Sequence, residues 1–102
     1  MPYEILYGEG ALDRVKAADL PGPVIDALDA AMEVLAENPT RASRPTGFPY
    51  PPKGQMYHFH HDYEGIRYYF NVFFWYMADE QTLKVFAVTV DTNEFGIRDK
   101  PR

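Results

Sequence analysis

The sequence predicts an α+β domain, in which an N-terminal strand and a helical hairpin precede a three-stranded antiparallel meander. Two patterns lead to this prediction. Apolar residues recur at helical spacing in residues 11–37, whereas residues 56–90 are rich in aromatic and β-branched residues and largely alternate. The chain has 102 residues, of which 46% are hydrophobic, and this suits one core rather than two. We therefore expect residues 1–102 to form a single domain.

The N-terminal part predicts one strand and two helices. Residues 3–7 alternate and are typical of a short strand, and residues 10–20 fit a short helix. Asp19 is the expected N-cap of a second, longer helix, which should end at Asn38 and Pro39 because the residue before proline disfavours helical geometry. This helix carries one apolar stripe, formed by Val24, Ile25, Leu28, Ala31, Met32 and Leu35. The two helices follow each other closely, which predicts the hairpin.

The C-terminal part predicts a long loop and the meander. Residues 40–55 contain four prolines and two glycines, so residues 39–55 are expected to form a proline-rich loop. The predicted strands are residues 56–61, 66–77 and 82–90, and the predicted turns are residues 62–65 and 78–81. The polar residues 91–102 are expected to form a loosely ordered tail.

Charge and composition narrow the class of function. The net charge of −5 opposes nucleic-acid binding, but residues 41–61 carry Arg41, Arg44 and Lys53 and no acidic residue. These three cations are therefore the candidates for contacts with RNA phosphates. The absence of cysteine excludes a disulfide framework, a thiolate zinc site and a thiol nucleophile. No apolar run is long enough to span a membrane and no secretory signal is present, so a cytoplasmic protein is expected.

All three histidines lie within four positions of the first meander strand. Residues two apart on a strand share a face and lie about 7 Å apart, so His58 and His60 should point the same way, with Asp62 after them. Tyr57 and Phe59 should point into the core. Two imidazoles and a carboxylate on one face could bind zinc, although such sites need three or four ligands. Solvated strand histidines without a chemical role are a second interpretation.

Acid–base catalysis is the third interpretation. Cleavage of RNA by its own 2′-hydroxyl needs a base, an acid and a cation that stabilises the developing charge on phosphorus. His58, His60 and, on the neighbouring strand, Arg67 could supply all three. Three aromatic residues should share that face of the neighbouring strand, where they could stack on bases or cover a partner chain such as a dimer mate: Tyr69, Phe73 and Trp75.

These segments together resemble the RelE/ParE superfamily of bacterial toxin–antitoxin toxins. Residues 3–19 are similar to the first strand and helix of that family, residues 24–39 to its second helix, and residues 82–90 to its last strand. Residues 56–72, MYHFHHDYEGIRYYFNV, resemble its central G-x-R and Y-x-V pattern. The resemblance implies an endoribonuclease that cleaves messenger RNA on the ribosome and inhibits translation, needs no cofactor and is bound by a cognate antitoxin.

The resemblance also implies site residues. His58 and His60 fall where the RelE branch has catalytic strand lysines, and Arg67 falls on its arginine after the turn. Asn93 stands in place of a basic residue that follows the last strand of the family, and Asp99 is the nearest position to a later tyrosine. Apart from the resemblance, the charge distribution and the strand alternation make Arg41, Arg44, Lys53, Tyr69 and Trp75 the expected RNA-binding residues.

Two other functions remain open at this point. The chain could be a non-catalytic module of the same fold that binds an antitoxin or another protein, either as an inactivated toxin or as a gyrase-directed inhibitor of the ParE type. It could also be an unrelated α+β domain that depends on a metal ion held by His58 and His60. Antitoxin identity, cleavage preference and oligomeric state, including a homodimer, are not determined by the sequence.

Overall fold

The computed structural model describes residues 2–46 and 54–94. Within these ranges the chain folds as an α+β unit with three helices and one five-stranded sheet. In chain order the elements are β1 (Glu4–Tyr7), α1 (Asp13–Ala17), α2 (Gly22–Glu37), α3 (Pro39–Ala42), β2 (Arg44–Pro45), β3 (Gln55–Tyr63), β4 (Ile66–Tyr76) and β5 (Thr82–Glu94). None of the helices in the described ranges is long and apolar enough to cross a membrane.

The sheet has the strand order β1-β5-β4-β3-β2. β3, β4 and β5 form the predicted antiparallel meander, β1 pairs in parallel with β5 and the two-residue β2 pairs antiparallel with β3. The predicted N-terminal strand and meander account for four of the five strands, and β2 was not expected. The longest strands, β4 and β5, lie side by side in the middle of the sheet, so the meander hairpins provide most of the sheet's hydrogen bonds.

The helices pack on one side of the sheet, which we call the core face. Its residues on β4 alternate along the strand and are almost fully buried, as are their partners on β5 and α2. The core is formed by Val24, Leu28, Met32 and Leu35 of α2, by Tyr68, Phe70, Val72 and Phe74 of β4, and by Leu83, Val85 and Val88 of β5. We call the opposite side the open face. Tyr69, Phe73 and Trp75 of β4 alternate with these buried residues, so the prediction that they share the face opposite the core is confirmed.

The helical region differs from the prediction in its details. α2 begins at Gly22 after Pro21, and Asp19 is not its N-cap but a residue with a positive φ of 50°. Ile25 is 41% exposed, because it lies at the edge of the apolar stripe. α1 is a short helix that packs on β5, while α2 packs on β3, so the two helices contact the sheet more than each other and the expected helical hairpin is not prominent.

Two predicted irregular segments contain regular structure. The segment 39–55 was expected to be a loop, yet it holds α3 and β2; Pro39 suits a first helical position, and the Asn38 side chain accepts a hydrogen bond from the backbone N–H of Arg41 at 3.3 Å. Residues 91–94 were expected in the tail, yet they extend β5, because the first residues of β4 need a partner on that side. The remaining parts, residues 47–53 and 95–102, lie outside the described ranges.

Candidate active site on the open face

A tight turn sets the register of the β3–β4 hairpin. Glu64 and Gly65 form a two-residue turn in which both have positive φ, 51° and 80°, as a type I′ turn requires. The predicted turn at residues 62–65 was therefore too long by two residues. Because the loop has only two residues, Asp62 lies directly opposite Arg67.

The hairpin brings the predicted catalytic residues to the open face. His58, His60 and Asp62 are exposed on β3, and the next residues across the sheet are Asn71, Tyr69 and Arg67, respectively. His61 points the other way, opposite Tyr68 of the core face, and is only partly exposed. The alternation predicted from the sequence is therefore the alternation observed.

Arg67 makes a two-point ion pair with Asp62. Its Nε lies 2.7 Å from Oδ1 and its Nη2 lies 3.0 Å from Oδ2 of the carboxylate. The hydrogen bond from Arg67 lowers the pKa of Asp62, and attraction to His60 and His61 lowers it further. The pKa of Arg67 is raised, first by Asp62 and then by Tyr69. The pair Asp62–Arg67 is the next pair after His60–Tyr69 on the open face of the hairpin. The guanidinium is held there, and its charge is largely balanced by the Asp62 carboxylate.

His58 is held by a chain of side-chain hydrogen bonds across three strands. Its Nδ1 lies 2.9 Å from Oδ1 of Asn71 on β4, and Nδ2 of Asn71 donates to Oγ1 of Thr89 on β5 at 3.3 Å. Asn71 and Thr89 are directly paired in the sheet, so the amide is supported from both sides. Neither residue was singled out by the sequence analysis. The alternation of side chains along β4 could have placed Asn71 on the face of the histidines. The Thr89 contact could not be predicted in this way, because it depends on how β5, which is later in the sequence, is aligned with β4.

The Tyr69 ring lies next to both imidazoles. Its centroid is 6.3 Å from that of His58, with the rings nearly parallel, and 6.0 Å from that of His60. Tyr69 is directly opposite His60 and diagonal to His58. A planar group that entered between the imidazoles would therefore meet a tyrosine ring.

The predicted RNA-binding residues do not form one patch. Arg44 pairs with Met56 at the edge of the open face, close to the histidines. Arg41 belongs instead to α3, whose Thr40 hydroxyl hydrogen-bonds that of Tyr76 on the core face. Lys53 lies outside the described residues. The run of positive charge in the sequence is therefore divided between the two sides of the sheet.

Trp75 belongs to an aromatic cluster at the other end of the open face. Its ring stacks on that of Phe86 at a centroid distance of 4.9 Å, and Phe73 lies 6.1 Å from Phe86. Phe86 is the extra residue of a β-bulge, because Phe73 pairs with Ala87 whereas Phe74 pairs with Val85. All three rings of the cluster are only partly exposed. Tyr69 lies outside it, beside the histidines.

Of the two C-terminal residues that were compared with the toxin family, the structure describes only Asn93. Asn93 is not past the last strand but within β5, directly opposite Arg67. Asp99 lies outside the described residues. No cluster of three or more histidine, aspartate or glutamate side chains in the described ranges has the geometry to hold a metal ion.

No family model matches this chain, and no curated protein or solved structure is significantly similar to it. The resemblance to RelE/ParE toxins therefore stays a prediction that rests on residues 3–39 and 56–90.

Proposed function

We propose that this protein is an endoribonuclease that cleaves messenger RNA through attack of the 2′-hydroxyl on the adjacent phosphate. One observation carries the proposal. Two exposed imidazoles, His58 and His60, and the guanidinium of Arg67 lie on the open face of the β3–β4 hairpin, in three successive residue pairs on that face. These groups are the base, the acid and the cation that this reaction needs.

The proposed reaction uses each group once. An imidazole removes the 2′-hydroxyl proton, the O2′–P bond forms, and the P–O5′ bond breaks as the other imidazole protonates O5′. The products are a 2′,3′-cyclic phosphate and a 5′-hydroxyl. His58 and His60 are about 7 Å apart as alternate residues of a strand, so one phosphodiester fits between them. Arg67 stabilises the charge that develops on the phosphoryl oxygens.

The ion pair shapes how Arg67 takes part. Asp62 orients the guanidinium through two hydrogen bonds, and a bound phosphate would share or replace that partner. The carboxylate also repels phosphate. Binding of RNA by this site is therefore expected to be weaker than it would be without the carboxylate, and it should depend on surrounding contacts such as Arg44.

The biological setting follows from the resemblance to RelE/ParE toxins. In that setting the protein acts on messenger RNA bound to the ribosome, inhibits translation and is neutralised by a cognate antitoxin encoded beside it. A strand, helices and then a meander in chain order support the proposal. The exposed position of His58 and His60 supports it as well, because helices on that face would block RNA.

The direct test is cleavage of messenger RNA by the purified protein, with and without ribosomes, in the presence of EDTA. Wild-type protein should give fragments that end in a 2′,3′-cyclic phosphate, and a 2′-deoxy substitution at the cleaved nucleotide should abolish cleavage. His58→Gln, His60→Gln and Arg67→Ala should each lower the rate by about 10²-fold or more. Intact RNA under every condition, with folded protein, would contradict the proposal.

His61→Gln is the matched control for these variants. It makes the same chemical change on the same strand, but on the core face. It should retain cleavage as long as the protein stays folded, which circular dichroism checks. Loss of cleavage in His61→Gln with an unchanged fold would show that the open face is not where the reaction occurs.

A second candidate function is a non-catalytic binding module of the same fold. The specific observation in its favour is that Asp62 already balances the charge of Arg67, while Phe73, Trp75 and Phe86 cluster on the same face. Growth arrest with intact messages and impaired DNA supercoiling would support a gyrase-directed inhibitor. Harmless expression without any antitoxin would support an inactivated toxin.

A further inference from the structure

We infer that Asn71 is a positioning residue that makes His58 the base, and leaves His60 as the acid, in the proposed cleavage. The role of base rests on the proposed nuclease function. The position of the proton on the His58 ring follows only from hydrogen bonds among β3, β4 and β5 and does not depend on that function.

The first step concerns the ring nitrogen that carries the proton. Nδ1 of His58 lies 2.9 Å from Oδ1 of Asn71, and an amide oxygen can only accept. The contact is therefore a hydrogen bond in which Nδ1–H donates. At the other end of the amide, Nδ2 of Asn71 donates to Oγ1 of Thr89 at 3.3 Å, so both ends of the amide have a partner.

The second step concerns the other nitrogen. A neutral imidazole that carries its proton on Nδ1 has its lone pair on Nε2. Since Nδ1 of His58 is turned towards Asn71, Nε2 lies on the far side of the ring, and His58 is exposed. Its Nε2 can therefore accept the 2′-hydroxyl proton. The bond to Asn71 then strengthens, because Nδ1–H of the charged ring is the better donor.

The third step separates His60 from His58. Asp62 follows His60 on the same face, and attraction between the two is one cause of the lowered pKa of Asp62. With His58 assigned as the base, His60 is the remaining imidazole of the open face and takes the role of the acid. The ionisable groups near His58 are different: His60 follows it on the same strand face, Tyr69 lies beside it on β4, and Arg44 of β2 lies opposite Met56, two residues before it.

The test is the tautomer of His58, measured by nitrogen-15 NMR on the full chain at a pH where the ring is neutral. Wild-type His58 should carry its proton on Nδ1. Asn71→Leu should move the proton to Nε2 and lower the cleavage rate about tenfold, as expected for the loss of one hydrogen bond. Thr89→Val should cause a smaller change in the same direction. The tautomer of His60 should be the same in all three proteins.

Asn71→Asp gives a readout that a purely structural role would not move. The carboxylate keeps an acceptor at Nδ1 and adds negative charge, so the acid limb of the pH–rate profile should shift to higher pH by about one unit. Asn71→Leu should not produce that shift.

The outcomes distinguish this inference from the proposed function. Wild-type His58 with its proton on Nε2, in a protein that cleaves RNA, would contradict the role of Asn71 alone. A His58 tautomer unaffected by Asn71→Leu, or an acid limb that does not move in Asn71→Asp, would contradict it too. The expected tautomer in a protein that cleaves no RNA would contradict the proposed function and with it the role of base.

Discussion

Asp62 and Arg67 face each other across the β3–β4 hairpin and are joined by two hydrogen bonds, of 2.7 and 3.0 Å, immediately before and after the type I′ turn. The cation that the proposed reaction needs is thus held in place by the protein itself. The same carboxylate competes with a phosphate for that cation. Orientation and competition have opposite effects on RNA binding, and they can be separated by mutation.

Removal of the competing charge should strengthen RNA binding. Asp62→Asn is expected to bind a 2′-O-methyl RNA, which cannot be cleaved, more tightly than the wild type. The salt dependence of log Kd should steepen by about 0.7, the value for one additional phosphate contact on a single strand. Fluorescence anisotropy at several salt concentrations measures both. The double variant Asp62→Asn/Arg67→Gln should lose the gain, and unchanged affinity in Asp62→Asn would show that Arg67 does not contact phosphate.

The two arginines of the predicted basic segment should differ in RNA binding. Arg44 is opposite Met56 at the edge of the open face, whereas Arg41 belongs to α3 on the helical side. Arg44→Gln should therefore weaken binding of the same RNA and reduce its salt dependence, and Arg41→Gln should change neither. The two substitutions are chemically identical, so equal effects would contradict the open face as the RNA-binding surface.

The ion pair should also make stability fall at acidic pH. The pKa of Asp62 lies below its ordinary value of 3.8, so its native form binds fewer protons than the unfolded chain as pH falls towards that value. Its contribution is complete above about pH 4 and is lost as pH falls through the lowered native pKa. Asp79, whose pKa is lowered by hydrogen bonds from Gln81 and Thr82, adds to the same effect.

Urea unfolding between pH 2 and 6 measures this loss. Asp62→Asn should show a shallower decrease in the free energy of unfolding than the wild type. Arg67→Gln should be equally shallow, because Asp62 without its partner regains an ordinary pKa. The double variant should match either single variant, and an additional effect in it would show that the two side chains act separately.

Adjacent residues of α2 should respond very differently to truncation. Leu35 is fully buried against the sheet, whereas Val34 is 56% exposed. Leu35→Ala should lower the free energy of unfolding by about 3 kcal/mol through lost burial and the remaining cavity. Val34→Ala should change it by less than about 0.5 kcal/mol, since alanine favours helix. Chemical denaturation measures both, and similar values would contradict the position of α2 on the core face.

The β3–β4 turn should be improvable by one substitution. Glu64 has a φ of 51°, which is unfavourable for a long side chain but tolerated by asparagine, and Asn-Gly is the preferred type I′ pair. Glu64→Asn should therefore raise the free energy of unfolding by about 0.5 kcal/mol. Gly65→Ala, at a φ of 80°, should lower it by about 1 kcal/mol. Destabilisation by Glu64→Asn would indicate a different turn.

Several features of the fold could be predicted because they depend on local periodicity. The apolar stripe of α2 and the alternation along β3 and β4 placed Leu35 and Phe70 in the core and His58 and His60 on the open face, as observed. Asn38 and Pro39 correctly marked the end of α2. In each case the signal lies within a few residues of the element that it describes.

The features that were missed depend on partners far along the chain. β2 has only two residues, and its proline is acceptable because an edge strand leaves one side unpaired. β5 continues to Glu94 because β4 offers it a partner there. The bulge at Phe86 likewise becomes visible only once β5 is aligned with β4.

The sequence by itself determined the order of the first strand, the two longer helices and the meander, and the face on which each candidate catalytic residue stands, since the periods of helix and strand are properties of the local backbone. Only the tertiary structure decided which residues meet across strands. The two-residue turn pairs Asp62 with Arg67, and the alignment of three strands links His58 to Asn71 and Thr89. Register depends on turn geometry and on packing against the helices, and those contacts join parts of the chain that the local pattern does not connect.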